Sequence, residues 1–420
     1  MGANLQQKLL LRRLHRPNYI IYRILTFFVV KLMLERKYNV TYTYKINPRE
    51  YQAPFVVVGN HASRLDYIFS SLAFLPHTLN FVAGYNEFFR AHLALIFRLM
   101  QAIPKKNFVS DIYTIKEIKR VLNDRGNIML FPEGMSSISG GNQPCAIASG
   151  KLLKHIGLPV LRIGIAGGYL TSTKYCLADR PGRVDVEVDI LFTPEQLAKL
   201  SEKEIQRRLD EALYHDDYEW NKTARVAFQG GGNMAKNLHD MLYWCPKCGA
   251  EFTMRGEGDD IVCGACGNGA RLNEYYDLIP LDETCVIPDT PRVWWDMQRA
   301  IARERVRDEN FSLREEVELG TLPPYKYLKK GNTSEITGRG TLTLDHSGLR
   351  FEGERESGPF RFFIDAKSLP TYGMCTDMSR FYTFVDGAFL EFFPKSRSVA
   401  KWLLTTEENH RHVGGAWRYS

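Results

Sequence analysis

The sequence predicts an α/β protein: a sheet covered by helices, then a small cysteine-held ribbon, then a β-barrel-like domain closed by a C-terminal helix. Three observations lead there. Between Tyr38 and Phe192, short apolar β-branched runs alternate with stretches of helical spacing. Cys245, Cys248, Cys263 and Cys266 stand as two CxxC pairs. From about Tyr325, short strands joined by turn signals follow one another until a last helical stretch.

At 420 residues, with 44% hydrophobic and 25% charged, the chain reads as a folded protein of two or three domains. The formal net charge of +7 favours an anionic partner such as a lipid headgroup or phosphate ester. No Lys/Arg-rich tract is interleaved with aromatics, so no nucleic-acid partner is expected. Four of the eight cysteines are clustered and four, Cys145, Cys176, Cys285 and Cys375, are scattered, a usage that suits a reducing cytosolic compartment.

Residues 1–37 read as a membrane-interface helix. Lys8, Arg12, Arg13 and Arg16 precede the apolar run Tyr19 to Leu34, which Arg23 and Lys31 interrupt. The run is too short and too charged to span a bilayer, and no small-residue cleavage site follows it. Cations flanking an apolar face suit a helix lying among lipid headgroups, with the body peripheral or monotopic at the cytoplasmic face. The alternative is an amphipathic helix packed on the body.

Residues 38–241 form the first domain. Strands are expected at Tyr38 to Ile46, Phe55 to Val58, Asn127 to Phe131, Leu158 to Ile165 and Val184 to Phe192. Helices are expected from Ser63 to about Leu75, Ile112 to Leu122, and Ala146 to His155, the last closed by Gly157. Residues 242–280 hold the cysteines. Residues 281–324 are a helical linker, begun by Thr290-Pro291 and ended by Pro323-Pro324. Residues 325–420 carry strands near Thr341, Leu349, Phe360, Arg380 and Ala388, with turns at Asp345 to Gly348 and Asp386-Gly387. A helix from about Arg397 to Glu408 closes the unit, and the whole pattern resembles a pleckstrin-homology-like or GRAM-like domain.

Chemistry concentrates at two strand ends. In Val58-Gly59-Asn60-His61-Ala62-Ser63-Arg64-Leu65-Asp66, the histidine sits at the carboxyl end of a strand, where open α/β sheets place ligands. Asp66, in the first turn of the next helix, is placed to orient the imidazole and stabilise it when protonated. Ser63-x-x-Asp66 also has the spacing of a helix capping box, a purely structural alternative. In Leu130-Phe131-Pro132-Glu133-Gly134-Met135-Ser136-Ser137, a buried strand turns polar, and Glu133 and the turn amides are placed to hold a polar acceptor.

Together these segments resemble the glycerolipid acyltransferase family, which includes lysophosphatidate and glycerol-3-phosphate acyltransferases. Asn60, His61 and Asp66 match NHxxxxD, and Phe131, Pro132, Glu133, Gly134 and Ser137 match FPEGTRS, in the family's order. Leu158-Pro159-Val160 resembles its fourth motif. The resemblance implies that His61 takes the proton of an acceptor hydroxyl, which attacks an acyl thioester, while Asp66 orients His61. It implies acyl-CoA or acyl-carrier protein as donor, a lysophospholipid acceptor, and Asn60, Glu133, Gly134 and Ser137 as substrate-binding residues. No enzyme nucleophile is needed, so Cys145 reads as a buried thiol.

The sequence departs from the family where arginines serve the acceptor's phosphate. Met135 and Ser136 replace Thr-Arg of FPEGTRS, and the second-motif region reads Ala102-Ile103-Pro104-Lys105-Lys106. Lys105, Lys106 and Arg162 are the substitutes expected near the mouth of the site. Their absence of a double arginine also admits a neutral or glycolipid acceptor, and the non-enzymatic alternative is a catalytically silent lipid-binding adaptor.

The two CxxC knuckles, each followed by a glycine (Gly249, Gly267), aim four thiolates at one point and resemble a zinc ribbon. A closed all-thiolate site leaves no position for water, so the expected Zn2+ is structural.

Overall fold

The computed structural model describes residues 4–375 and 377–416, apart from the side chains of Met33 and Leu34. The outermost residues of the two terminal segments defined above lie outside that range.

The first sheet has seven strands: β1 (Val40–Tyr44), β2 (Val56–Gly59), β3 (Leu79–Gly84), β4 (Ile103–Lys105), β5 (Asn127–Leu130), β6 (Val160–Ala166) and β7 (Val184–Phe192). Their order is β1-β7-β6-β2-β5-β3-β4. Every neighbouring pair is parallel except β6 with β7. The central strand β2, Val-Val-Val-Gly, is fully buried, as a parallel strand covered on both faces must be. Val57, Met129 and Ile163 pack to one face against Ile68, Phe69 and Leu72 of the helix Asp66–Ala73. Val56, Val58 and Ile128 pack to the other against Ile118 and Val121 of the helix Ile112–Asn123. That helix is started by Asp111, whose carboxylate accepts from the Thr114 amide at 3.2 Å.

Strands β3 and β4 and the helix Ala91–Leu99 were not expected from sequence. The β3 segment, Leu-Asn-Phe-Val-Ala-Gly, is short and only its first two residues are buried, so neither periodicity stands out.

The N-terminal segment runs as the helix Tyr19–Ile24, a π-helical stretch Leu25–Glu35 and a last turn Arg36–Tyr38. Tyr22, Thr26 and Val30 are buried, with Val30 in the core shared by the helix Asp66–Ala73. Ile20, Ile24, Phe27, Phe28 and Val29 remain exposed. No helix among the described residues is long and apolar enough to cross a membrane.

The second sheet is antiparallel: β8 (Met254–Glu257), β9 (Asp260–Cys263), β10 (Gly269–Leu272) and β11 (Leu278–Pro280). The helix Pro291–Arg305 follows, capped by Thr290 with Pro291 at its first position.

The third sheet is antiparallel and seven-stranded: β12 (Ser312–Thr321), β13 (Glu335–Asp345), β14 (Gly348–Arg355), β15 (Gly358–Asp365), β16 (Gly373–Met374), β17 (Phe381–Val385) and β18 (Ala388–Pro394). The order β15-β14-β13-β12-β18-β17-β16 leaves β15 and β16 as edges, so no ladder among the described residues closes the expected barrel. The sheet also begins before the Pro323-Pro324 boundary read from sequence, because the charged strand β12 pairs with both β13 and β18. The helix Val399–His412 packs on the sheet, and its buried Trp402 donates Nε1–H to Glu315 at 2.8 Å.

One apolar core joins the three parts. It runs from Tyr169 and Leu170 after β6, through Cys245 and Ile261 of the ribbon, to Trp294, Phe392 and Trp402. Asp240 holds Arg397, and Glu251 holds both Arg305 and Lys401.

Candidate active site and metal centre

Strands β2 and β5 are parallel neighbours, with Val58 opposite Leu130. Their carboxyl ends therefore deliver the following loops to one edge of the sheet, side by side. The His61 amide donates to Glu133 Oε1 at 2.7 Å, and the Ser137 amide donates to the His61 carbonyl at 2.7 Å. The two loops thus hold each other through the backbone of His61.

Within the first loop, His61 Nδ1 lies 2.7 Å from Asp66 Oδ2. Asp66 is buried, at 1% exposure, and is the first residue of its helix. Its carboxylate also accepts from the Ser63 amide at 3.0 and 3.1 Å and from the Ser63 hydroxyl at 3.1 Å. Burial raises the Asp66 pKa above its ordinary value, while the hydrogen bonds from His61 and Ser63 act the other way. An ionised Asp66 fixes the proton on Nδ1. The His61 side chain is 23% exposed, and Nε2 has no protein partner among the described residues. The ring stacks on Phe131 with centroids 4.5 Å apart. This arrangement holds one imidazole nitrogen fixed and leaves the other open to a substrate proton. The capping-box alternative is not found: the helix starts at Asp66 after Leu65, with no side-chain cap, and the Ser63–Asp66 bonds lie in the turn before it.

Glu133 does not face an acceptor. It is 0% exposed, with Oε1 taken by the His61 amide and Oε2 by the Gln143 amide at 2.7 Å. Burial pushes its pKa up to about 8, and the two backbone amides offset part of the rise. Its role is to brace the loops. Asn60 does likewise: its side chain exchanges two 2.8 Å hydrogen bonds with the Ile165 backbone on β6. Ser137 Oγ donates to the Gly141 carbonyl at 2.6 Å and accepts from the Gly140 amide at 3.0 Å. Gly134 takes the left-handed conformation, φ +80°, and a Cβ there would meet the Phe108 ring at 3.2 Å.

The three expected phosphate cations are engaged elsewhere. Arg162 pairs with Glu187 on β7. Lys106 donates to the Gly387 carbonyl at 2.7 Å, on the β17–β18 turn, and lies over the Tyr85 and Phe384 rings. It borders a cavity of about 460 Å³ between the first and third sheets. Lys105 ends β4, is half-buried, and is not without a partner. Proximity in the chain does not set side-chain direction. A cation with no sequence signal, Lys174, is buried at 7% exposure, and its Nζ donates to the Ser136 hydroxyl at 3.0 Å. No spacing or motif marks that lysine. Cys145 is buried in the apolar core.

The four clustered cysteines converge. Their sulfurs all lie within 4.8 Å of one another, with Cys245–Cys266 at 3.7 Å and Cys248–Cys263 at 3.8 Å. Tetrahedral thiolates at about 2.3 Å from zinc stand about 3.8 Å apart, so the set fits that ion. Each knuckle closes on a left-handed glycine: Gly249 N–H donates to Cys245 O, and Gly267 N–H to Cys263 O, both at 2.9 Å.

Residues 37–166 match the family model of the acyltransferases, a span of under half the chain that contains both loops. The crystal structure of 1-acyl-sn-glycerophosphate (LPA) acyltransferase, PlsC, from Thermotoga maritima is similar at 17% identity and a TM-score of 0.37, covering 49% of this chain and 94% of that one. Comparison with curated proteins gives no match.

Proposed function

We propose that the protein is an O-acyltransferase that moves a fatty acyl group from a thioester to the hydroxyl of a lysophospholipid, at His61. The observation that carries this reading is the buried Asp66 carboxylate 2.7 Å from His61 Nδ1, with Nε2 open. Nε2 accepts the acceptor's hydroxyl proton as the oxygen attacks the thioester carbonyl. The thiol leaves with a proton returned from the imidazolium, so no acyl-enzyme is needed. The motif residues and the acyltransferase match over 37–166 support the same chemistry. The donor is acyl-CoA or acyl-carrier protein.

Transfer of labelled acyl groups from acyl-CoA to a panel of lysolipids tests this reading. His61→Ala should lower kcat by about 10²–10⁴-fold, the usual worth of a general base, without lowering Tm. Asp66→Asn should also be severe, because an amide NH2 cannot accept from both His61 Nδ1–H and Ser63 N–H and so favours the wrong imidazole tautomer. Activity in His61→Ala within about tenfold of wild type would remove the mechanism.

The exposed face of Tyr19 to Val29 supports peripheral attachment to a membrane, with basic residues on its N-terminal side. Replacing Ile20 and Phe28, 66% and 56% exposed, by Glu should abolish flotation with anionic liposomes while leaving Tm unchanged. Undiminished flotation would move the attachment to another surface. The zinc site and a pleckstrin-homology-like third sheet complete the proposal; in it the metal is structural.

A further inference from the structure

Two cations on or against the loops that carry His61 and Glu133, half-buried Arg64 and buried Lys174, are not used by the mechanism above. Lys174 lies on the loop after β6, beyond the span that matches the acyltransferase family. The residue is 7% exposed, and its ammonium donates to a hydroxyl, Ser136 Oγ, at 3.0 Å. No carboxylate lies within salt-bridge distance among the described residues. The nearest acids are spoken for: Glu87 sits 3.1 Å from Arg90, and Asp377 accepts from Ser379 and sits 3.7 Å from Arg380. Burial lowers the Lys174 pKa to about 8, with Arg64 acting in the same direction, while Cys375, Glu87 and Asp377 offset part of the fall. A lysine buried without a counter-ion is costly unless an anion arrives.

Arg64 supplies the second half. It stands between His61 and Asp66, and its Nη2 is held by Leu177 O at 2.6 Å and Asp179 at 2.5 Å, both from the loop that carries Lys174. Its Nη1 is buried and has no partner. Ser136 adjoins Ser137, whose amide binds the His61 carbonyl. An incomplete guanidinium fork, an unpaired ammonium and a hydroxyl thus converge on the loops that carry the proposed base.

We propose that Lys174 and Arg64, with Ser136, form an anion subsite that takes a phosphate-bearing group of the substrate and sets its position relative to His61. A phosphate monoester offers three oxygens, enough for the ammonium, Nη1 and the hydroxyl together. This rests on the acyl-transfer reading for which substrate is bound, but not for whether the anion is bound. The phosphate has two sources, the acceptor's headgroup and the donor's nucleotide.

The test uses the full chain and Lys174→Met, Lys174→Gln and Lys174→Arg, each first checked for an unchanged melting transition. Gln keeps a donor to Ser136 without charge, and Arg restores the charge. With one donor, kcat/KM is measured for lysophosphatidate and for monoacylglycerol. With one neutral acceptor, it is measured for acyl-CoA and acyl-pantetheine. The uncharged variants should lower the ratio of phosphorylated to neutral substrate about tenfold in one of these pairs, mainly through KM, with Arg recovering most of it. The affected pair identifies the source. Unchanged ratios in both pairs would overturn the proposal while leaving acyl transfer standing. Binding of glycerol 3-phosphate and of CoA is measured by calorimetry on His61→Ala with and without Lys174→Gln. Lys174-dependent binding, together with no acyl transfer by the unsubstituted chain to any acceptor, would keep the subsite and remove the acyl-transfer reading. Equal binding with and without Lys174→Gln would count against the subsite.

Discussion

The His61 loops and the four-cysteine cluster are both polar constellations held by tight turns, and they differ in one respect that separates chemistry from structure. In the cluster, four sulfurs face each other at tetrahedral spacing, leaving no vertex for a fifth atom. Around His61 nearly every polar atom is likewise taken: Asp66 by His61 and Ser63, Glu133 by two amides, Asn60 by β6. Among the polar side-chain atoms of Asn60, His61, Asp66 and Glu133, Nε2 is the exception. A base whose supports are all held while its own nitrogen is open is preorganised to act there. A site saturated at every position holds the chain together.

That contrast can be broken most forcefully at the four cysteines. With zinc held there, as proposed, a chelator or Cys248→Ser should cost several kcal/mol and lower Tm by about 10 °C or more. Activity should fall only in step with the folded fraction. A chelated protein that keeps its Tm but loses transfer would make the cluster part of the chemistry and end the distinction.

A smaller effect is expected at Glu133, and it sharpens the comparison from within the first site. Glu133→Gln must turn an amide NH2 toward a backbone N–H, of either His61 or Gln143. An unsatisfied buried donor costs about 1–3 kcal/mol, so transfer should drop about tenfold or more although no group that meets substrate has changed. pH offers a second reading. The native carboxyl, raised to about 8 by burial, holds a proton that the unfolded chain loses near 4.5. Between those values the folded state binds more protons, so this group's contribution to stability declines as pH rises from about 5 to 8. Thermal melts across that range should show a flatter slope in Glu133→Gln; an unchanged slope would remove the protonated Glu133.

The smallest effect should be at Arg162. Its guanidinium is occupied by Glu187 on β7. Arg162→Gln should shift stability by less than about 1 kcal/mol and leave the acceptor's KM within about twofold. A large rise in KM for a phosphorylated acceptor would return Arg162 to the site.

The parts legible in the sequence share a cause. Strands β2 and β5 announce themselves as continuous apolar runs because they are covered on both faces, and a motif at each run's end falls where the sheet must deliver it. The cysteines are legible because ligand spacing is local. Illegible were contacts between residues far apart in the chain. Glu133 looked like a ligand because its carboxylate was counted before its amide partners were known. Lys174 reaches Ser136 only through the fold. Strand β12 was missed because charged residues fill its outer face, Arg314, Glu316 and Glu318, and dilute the inner alternation of Leu313, Val317 and Leu319.

The topology of the first sheet also orders events in time. Strand β1 forms the sheet's edge by pairing with β7, Val40 against Val184, while the strands between them in sequence lie on β7's other side. During synthesis β1 has no ladder to join until the chain has emerged past β7, long after the apolar segment before it. Closing so long a loop adds little entropy penalty, about 0.6 kcal/mol for each doubling of length. It does delay the step, since distant pairings form slowly. The edge strand should therefore be the last of this sheet to gain protection in pulsed hydrogen exchange during refolding.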